Sequence, residues 1–179
     1  MDPEAAIEIL RAGQPISSAT VEGTLVLRDL ANATPWVIRS RLSIVDSILD
    51  EVDGGFITVE APITLERVTV HGRFQLLSTF FVEGFSAVDC RFERTVEMRW
   101  GGHNQNGAVF LLERCVFDEF VDFEDEWFRG PVEIRGCTFH GGTNLLGNQG
   151  QPNVVSFDVP PVIEFNTGRL DLDGTLGAA

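Results

Sequence analysis

The sequence predicts an all-β solenoid with about 22 residues per coil, and three observations carry that expectation. Cys90, Cys115 and Cys137 each stand two residues before a phenylalanine (Phe92, Phe117 and Phe139). Cys115 to Cys137 is a step of 22 residues, and Cys90 to Cys115 is that step plus three residues of an insertion within residues 101–107. Around these units an apolar column advances alternately by five and six. It runs from Leu65 through Val70, Leu76, Phe81, Ala87 and Phe92 to Met98, then from Leu112 through Phe117, Phe123, Phe128, Ile134 and Phe139 to Leu145. A second column lies two residues earlier, from Ile63 and Val68 to Cys137 and Thr143, with Glu126 its one clear misfit.

Residues i and i−2 share one side of an extended chain, so each short segment turns two side chains inward before the next turns a corner. A helix needs apolar residues every three to four positions and a hairpin series needs turns every eight to twelve; neither produces a 5/6 alternation. Stacked coils do. One coil cannot bury its apolar side alone, whereas neighbours at about 4.8 Å share a continuous core.

The chain reads as a single solenoid domain, residues 1–179. Residues 1–13 form a short N-terminal capping helix: Asp2 is the N-cap, Pro3 takes the first helical position, Glu4 lies in the first turn and Gly13 ends it. Such a helix shields the unpaired strand groups of an open end. Residues 14–62 make irregular first coils, with strand-like pieces at 25–30 and 42–59 around a looser segment, 31–36. Residues 63–145 are the regular coils. Pro62 and Pro131 fall at equivalent corners three coils apart, where proline supplies a bend and gives up one ladder donor. The glycine- and amide-rich insertion around His103 reads as a flexible surface excursion. Beyond Leu145 the alternation stops. Residues 147–153 read as a loop, the pieces 154–157, 162–165 and 170–172 are strand-like, and residues 146–179 are expected to form a terminal coil or an arm.

Cys90-Arg91-Phe92, Cys115-Val116-Phe117 and Cys137-Thr138-Phe139 combine a small residue, a phenylalanine two positions on and a period near five. This resembles the pentapeptide-repeat family, whose usual form is Ala-Asp/Asn-Leu-x-x, over roughly residues 42–145. The resemblance implies a right-handed quadrilateral β-helix. Two departures stand out: every second step is six residues long, and phenylalanine largely replaces leucine.

Chemistry is sparse. Fourteen phenylalanines and no tyrosine suit a dry core, because a buried phenol needs a partner for its hydroxyl. The cysteines are expected to be packing. A disulfide between neighbouring coils is compatible with their spacing, but three ligands on one column cannot surround a metal. His71 and His140 share a column about 14 Å apart, too far for a common metal ion. Neither a metal nor a cofactor is expected. Asp171-Leu172-Asp173-Gly174-Thr175-Leu176 resembles the first motif of the haloacid-dehalogenase-like phosphatases, yet no doubly wound α/β context accompanies it, so an acidic terminal turn is the reading. Asn32-Ala33-Thr34 is a glycosylation sequon by pattern. The start Met-Asp-Pro-Glu carries no basic, apolar leader and no stretch approaches a membrane span, so a cytoplasmic protein without a membrane partner is expected.

Charge is more informative. Twenty-seven acidic residues face 13 basic ones, all arginine, for a net charge of −14. No lysine is present for Schiff-base or P-loop chemistry, and direct nucleic-acid binding is disfavoured for want of a basic face. The coil frame stacks Arg67, Asp89 and Arg114 as alternating signs, with Glu113 against Arg135. By contrast, it stacks Glu93 on Asp118 and Glu97 on Asp122, an acidic corner that reads as unpaired and asks for solvent, a cation or a basic partner. The expected function is a non-catalytic interaction or scaffold protein presenting rigid acidic faces to a protein partner. Among pentapeptide-repeat proteins, the quinolone-resistance members are acidic dimeric rods that imitate duplex DNA and bind DNA gyrase; the resemblance implies that mode here. The alternative is a carbohydrate-active β-helix enzyme with Glu97 and Asp122 as its carboxylate pair. The irregular segment after Leu145 predicts a homodimer through one end of the solenoid.

Overall fold

The computed structural model describes residues 1–31, 34–105 and 107–174. It winds about five turns of β-solenoid at about 22 residues per coil, with one short helix at its start. The coil of residues 63–81 carries four short strands, Ile63–Glu66, Thr69–Val70, Phe74–Gln75 and Phe80–Phe81, and Phe85–Val88 opens the next. Every pairing among them is parallel, because the chain always returns to a face travelling the same way. On the first face Ile63 pairs with Phe85, Phe85 with Phe110 and Phe110 with Val132, so the three extra residues near position 101 are absorbed outside the ladder.

Every residue of both 5/6 columns is buried, Glu126 included. The large side chains stack along the axis. Phe92, Phe117 and Phe139 lie ring on ring, with centroids 5.0 and 4.8 Å apart and planes within 8°. Phe85, Phe110 and Phe128 make a second pile, at 5.3 and 4.8 Å. Each ring removes roughly 150–250 Å² from water, so these piles dominate the burial. The three cysteines are free thiols beside them, and each Sγ donates to a corner carbonyl, as Cys90 does to Val88 at 3.3 Å.

One corner sets the turn by left-handed backbone. Asp46, Arg67, Asp89 and Arg114 have φ between 49° and 55°, and Gly136 takes the same place in the following coil. The region costs a side-chain-bearing residue about 1–2 kcal/mol. It also aligns the four side chains, and Arg67 reaches Asp46 at 2.5 Å while Arg114 reaches Asp89 at 2.7 Å.

The cap is helix α1 (Pro3–Arg11), with Asp2 accepting from Ala5 N at 2.8 Å and Ala6, Ile7 and Leu10 turned onto the first coil. Two expectations need correction. Residues 25–30 are not one strand: Thr20–Val26 is followed by a 3-10 turn, Leu27–Leu30, whose period of three turns both leucines inward. Of the two alternatives for the end of the chain, residues 146–174 take the terminal coil: Ser156–Phe157, Val162–Glu164 and Thr167–Gly168 each pair with the coil beneath. The insertion is anchored instead of flexible. Asn104 is fully buried, donates to Ala108 O and Pro131 O and accepts from Gly130 N, while Gly102 bridges Phe80 and Trp127. Asn32 and Ala33 of the sequon, Asn106 of the insertion and residues 175–176 of the acidic motif lie outside the described residues.

Candidate functional site, a charged corner of the solenoid

The four acidic residues singled out in the sequence do stack in register. Glu97 pairs with Asp122, and the Phe92–Phe117 pairing carries Glu93 to Asp118. Their partners differ from the expectation. Glu93 Oε2 lies 2.9 Å from His71 Nδ1, and Asp118 Oδ2 accepts from Arg91 Nη2 at 2.7 Å. This pair is therefore laced rather than unpaired, because a long arginine reaches diagonally into the next coil. Asp122 is only 5% exposed; its Oδ1 accepts from Asn144 Nδ2 at 2.7 Å and from Glu124 N at 3.0 Å. Glu97 alone has no ion-pair partner among the described residues.

Asp122 opens a feature the charge columns do not reveal. Asp122, Glu124 and Glu126 are all buried, and they are the only buried charged residues among those described. They alternate along Val121–Asp122 and the turn that follows. Arg99, from the coil below, places Nε 3.6 Å from Asp122 Oδ2 and Nη1 3.7 Å from Glu124 Oε2, with its side chain 15% exposed. One guanidinium thus faces two carboxylates, and its Nε and Glu124 Oε2 still lack hydrogen-bond partners. Buried charge without full compensation is costly, so this corner carries an electrostatic cost.

Glu126 is a separate case. It is fully buried, neither carboxyl oxygen has a hydrogen-bond partner, and burial pushes its carboxyl well above the ordinary range. The coil beneath makes room for it at Gly102, which has no side chain to meet the carboxyl. The sequence signal was present in the alternating acids of Asp122-Phe123-Glu124-Asp125-Glu126, which place three carboxylates on related turns of an extended chain.

The remaining ionisable residues have structural settings. His103 sits between Phe80 and Trp127, with centroids 4.5 and 5.1 Å away, and burial, then Arg129, lowers its imidazole pKa. Contact with the Cys137 and Cys90 thiols, then burial, pushes Cys115 up. Hydrogen bonds from Arg67 and Arg114 hold the Asp46 and Asp89 carboxyls below their usual value. Among the described residues, no group of three or more His, Cys, Asp or Glu is arranged to hold a metal ion, and no helix is long and apolar enough to cross a membrane.

Comparison with family models, curated proteins and solved structures yields no match. The stacked coils define the chain as a β-solenoid repeat protein with a mostly apolar interior, whose buried charged residues among those described are Asp122, Glu124 and Glu126.

Proposed function

We propose that this chain is a non-catalytic interaction module of the pentapeptide-repeat type, presenting rigid acidic faces to a basic protein partner. One observation carries the reading. Eleven of the 13 arginines already lie within ion-pair distance of a carboxylate in the same chain, so the formal charge of −14 has little cationic reserve left on the surface. Such a surface attracts basic partners and repels nucleic acid. The solenoid ladder supports the DNA-mimic form of the reading, because it holds acidic residues such as Glu97 at the fixed spacing of the coils. Glu93 and Asp118 belong to the same face, with His71 and Arg91 as partners that a docking basic chain can displace. A second copy joining at the terminal coil fits the reading too: Phe165 is 86% exposed there, and Val162–Glu164 pairs on one side among the described residues. Cytoplasmic residence is part of the same proposal.

The test is a pull-down from the native cell together with a supercoiling assay on purified DNA gyrase. Salt-sensitive capture of a DNA-binding protein supports the proposal. Absence of any effect on gyrase, with no basic protein captured at low salt, removes it.

A further inference from the structure

On the face that neighbouring coils line with the strands Phe80–Phe81 and Trp127–Phe128, the coil carrying the insertion contributes only isolated bridges, from Gly102 to Phe80 and to Trp127. Backbone hydrogen bonds hold it there: Gly102 N donates to Thr79 O at 3.0 Å, Phe81 N to Gly102 O at 2.8 Å, His103 N to Trp127 O at 2.8 Å and Trp127 N to Gly101 O at 3.2 Å. Gly102 brings no side chain to the gap between Phe80 and Trp127. The His103 ring fills it instead, tilted on Phe80 and edge-on to Trp127. Trp100, Gly102 and His103 have φ of 64°, 87° and 55°, so this short segment is held in backbone that side chains disfavour.

Against this segment lies Glu126. Its side chain is fully buried, neither carboxyl oxygen has a hydrogen-bond partner, and a Cβ on Gly102 would come within 2.6 Å of Oε2. A protonated carboxyl tolerates that setting, whereas a carboxylate stripped of water and donors does not. Burial raises the Glu126 pKa, the Gly101 backbone lowers it, and Asp125 of the same turn raises it again. Two coils below, Thr79 spends its hydroxyl on Gly54 O at 2.6 Å. Around the aromatic slot, Arg129 lies over the Trp127 ring and Asp158 accepts from Trp127 Nε1 at 2.9 Å. Burial, then Arg129, lowers the His103 pKa, so the ring in the slot is the neutral imidazole. Neutral ring and protonated carboxyl together make the closed arrangement.

We propose that residues 101–103 form a pH-operated latch: release of the Glu126 proton drives the carboxylate outward past Gly102, breaks the bridges to Phe80 and Trp127 and swings His103 out of the aromatic slot. Asn104, buried and bonded to Ala108, Gly130 and Pro131, is the fixed end of the moving piece. Isolated bridges, left-handed backbone and a bare glycine over an unpartnered carboxyl make this segment, rather than a strand, the place that gives way. The closed latch is fully favoured below the ordinary Glu value of 4.5 and is lost as pH rises through the raised folded value. Opening bares Phe80 and Trp127. The latch stands apart from the acidic-docking reading and needs no partner.

The experiment follows backbone amide exchange, the Glu126 carboxyl carbon and the Trp127 indole N–H of the full chain from about pH 5 to about pH 9. Protection at Gly102 and His103 is expected to stay below that at Phe92 throughout, and to fall about tenfold per pH unit until Glu126 has titrated. The Trp127 signal should shift with the same midpoint as the Glu126 carbon. Glu126→Gln, which cannot ionise, should stay closed across the range. His103→Phe keeps a ring in the slot without a titrating group, so the Gly102 response should survive it; this variant keeps the test usable if Glu126→Gln does not fold. Equal protection at Gly102 and Phe92 would mean that the chain opens only as a whole. A Trp127 signal unchanged while Glu126 titrates, a full response in Glu126→Gln, or loss of the Gly102 response in His103→Phe would mean that the segment does not answer to this carboxyl. Each of these outcomes overturns the latch.

Discussion

Glu126 leans on Gly102: a Cβ built on that glycine would come within 2.6 Å of Glu126 Oε2 and 2.7 Å of Trp127 O. The buried carboxyl and the missing side chain are therefore one arrangement spread over two coils. Gly102 also has φ of 87°, a conformation that L side chains rarely adopt. Gly102→Ala is expected to cost about 2–3 kcal/mol, from strain and from the clash together. Combining it with Glu126→Ala removes one of the two clashes, so the pair should cost less than the sum of the singles. Urea unfolding of the three variants checks this, and strict additivity would show that the residues do not share the space.

Glu126 also sets a pH dependence with a definite sign. Its folded pKa is raised by burial, so the folded state keeps the proton after the unfolded chain has released it near pH 4.5. Its contribution is fully favourable below that pH and is lost as pH rises through the folded value, at up to about 1.4 kcal/mol per pH unit. Glu126→Gln should flatten this slope and be the more stable protein at pH 8. Stability measured against pH for both proteins decides; parallel curves would mean that Glu126 is not protonated in the fold.

Phe117 is held between Phe92 and Phe139, ring on ring at 5.0 and 4.8 Å. Phe117→Ala opens a cavity in the middle of a pile and is expected to cost about 3–5 kcal/mol. Phe117→Leu keeps most of the volume and should cost under about 1.5 kcal/mol. A similar loss for both, read from thermal unfolding, would locate the stability in ring stacking rather than in filled space.

Cys90, Cys115 and Cys137 are buried free thiols, and Cys115 is further pushed up by its neighbours. Contact with Cys115 holds the Cys90 and Cys137 thiols below their usual value, so for those two it is burial that keeps a reagent away. The native protein is expected to resist an aromatic disulfide reagent for hours, with all three thiols titrating in denaturant. Fast native labelling of any one of them would contradict its placement.

The 5/6 spacing carried the interior because inside and outside alternate locally along an extended chain. Leu65, Phe92 and Ile134 could be assigned inward without knowing any partner, and so could the Asp2 cap, which needs only its own helix. Glu126 shows the strength of that constraint: it appeared as a misfit, yet the fold kept it inside, against Gly102 of the coil below. The anchoring of Asn104 was not legible, since hydrogen bonds to Pro131 and Gly130 depend on how an insertion closes.

Solenoid class, coil length and the identity of the core follow from a periodicity written into neighbouring residues. Charge pairing follows only in part: the Asp89–Arg114 rung was legible, but an arginine is long enough to choose among several coils. Arg91 satisfies Asp118, Arg99 draws toward Asp122 and Glu124, and Asp173 reaches the same corner only after the last coil has closed. Those contacts exist through side-chain reach and burial across turns, and they moved the unbalanced charge from the surface column of Glu93 and Asp118 to the buried corner around Glu124.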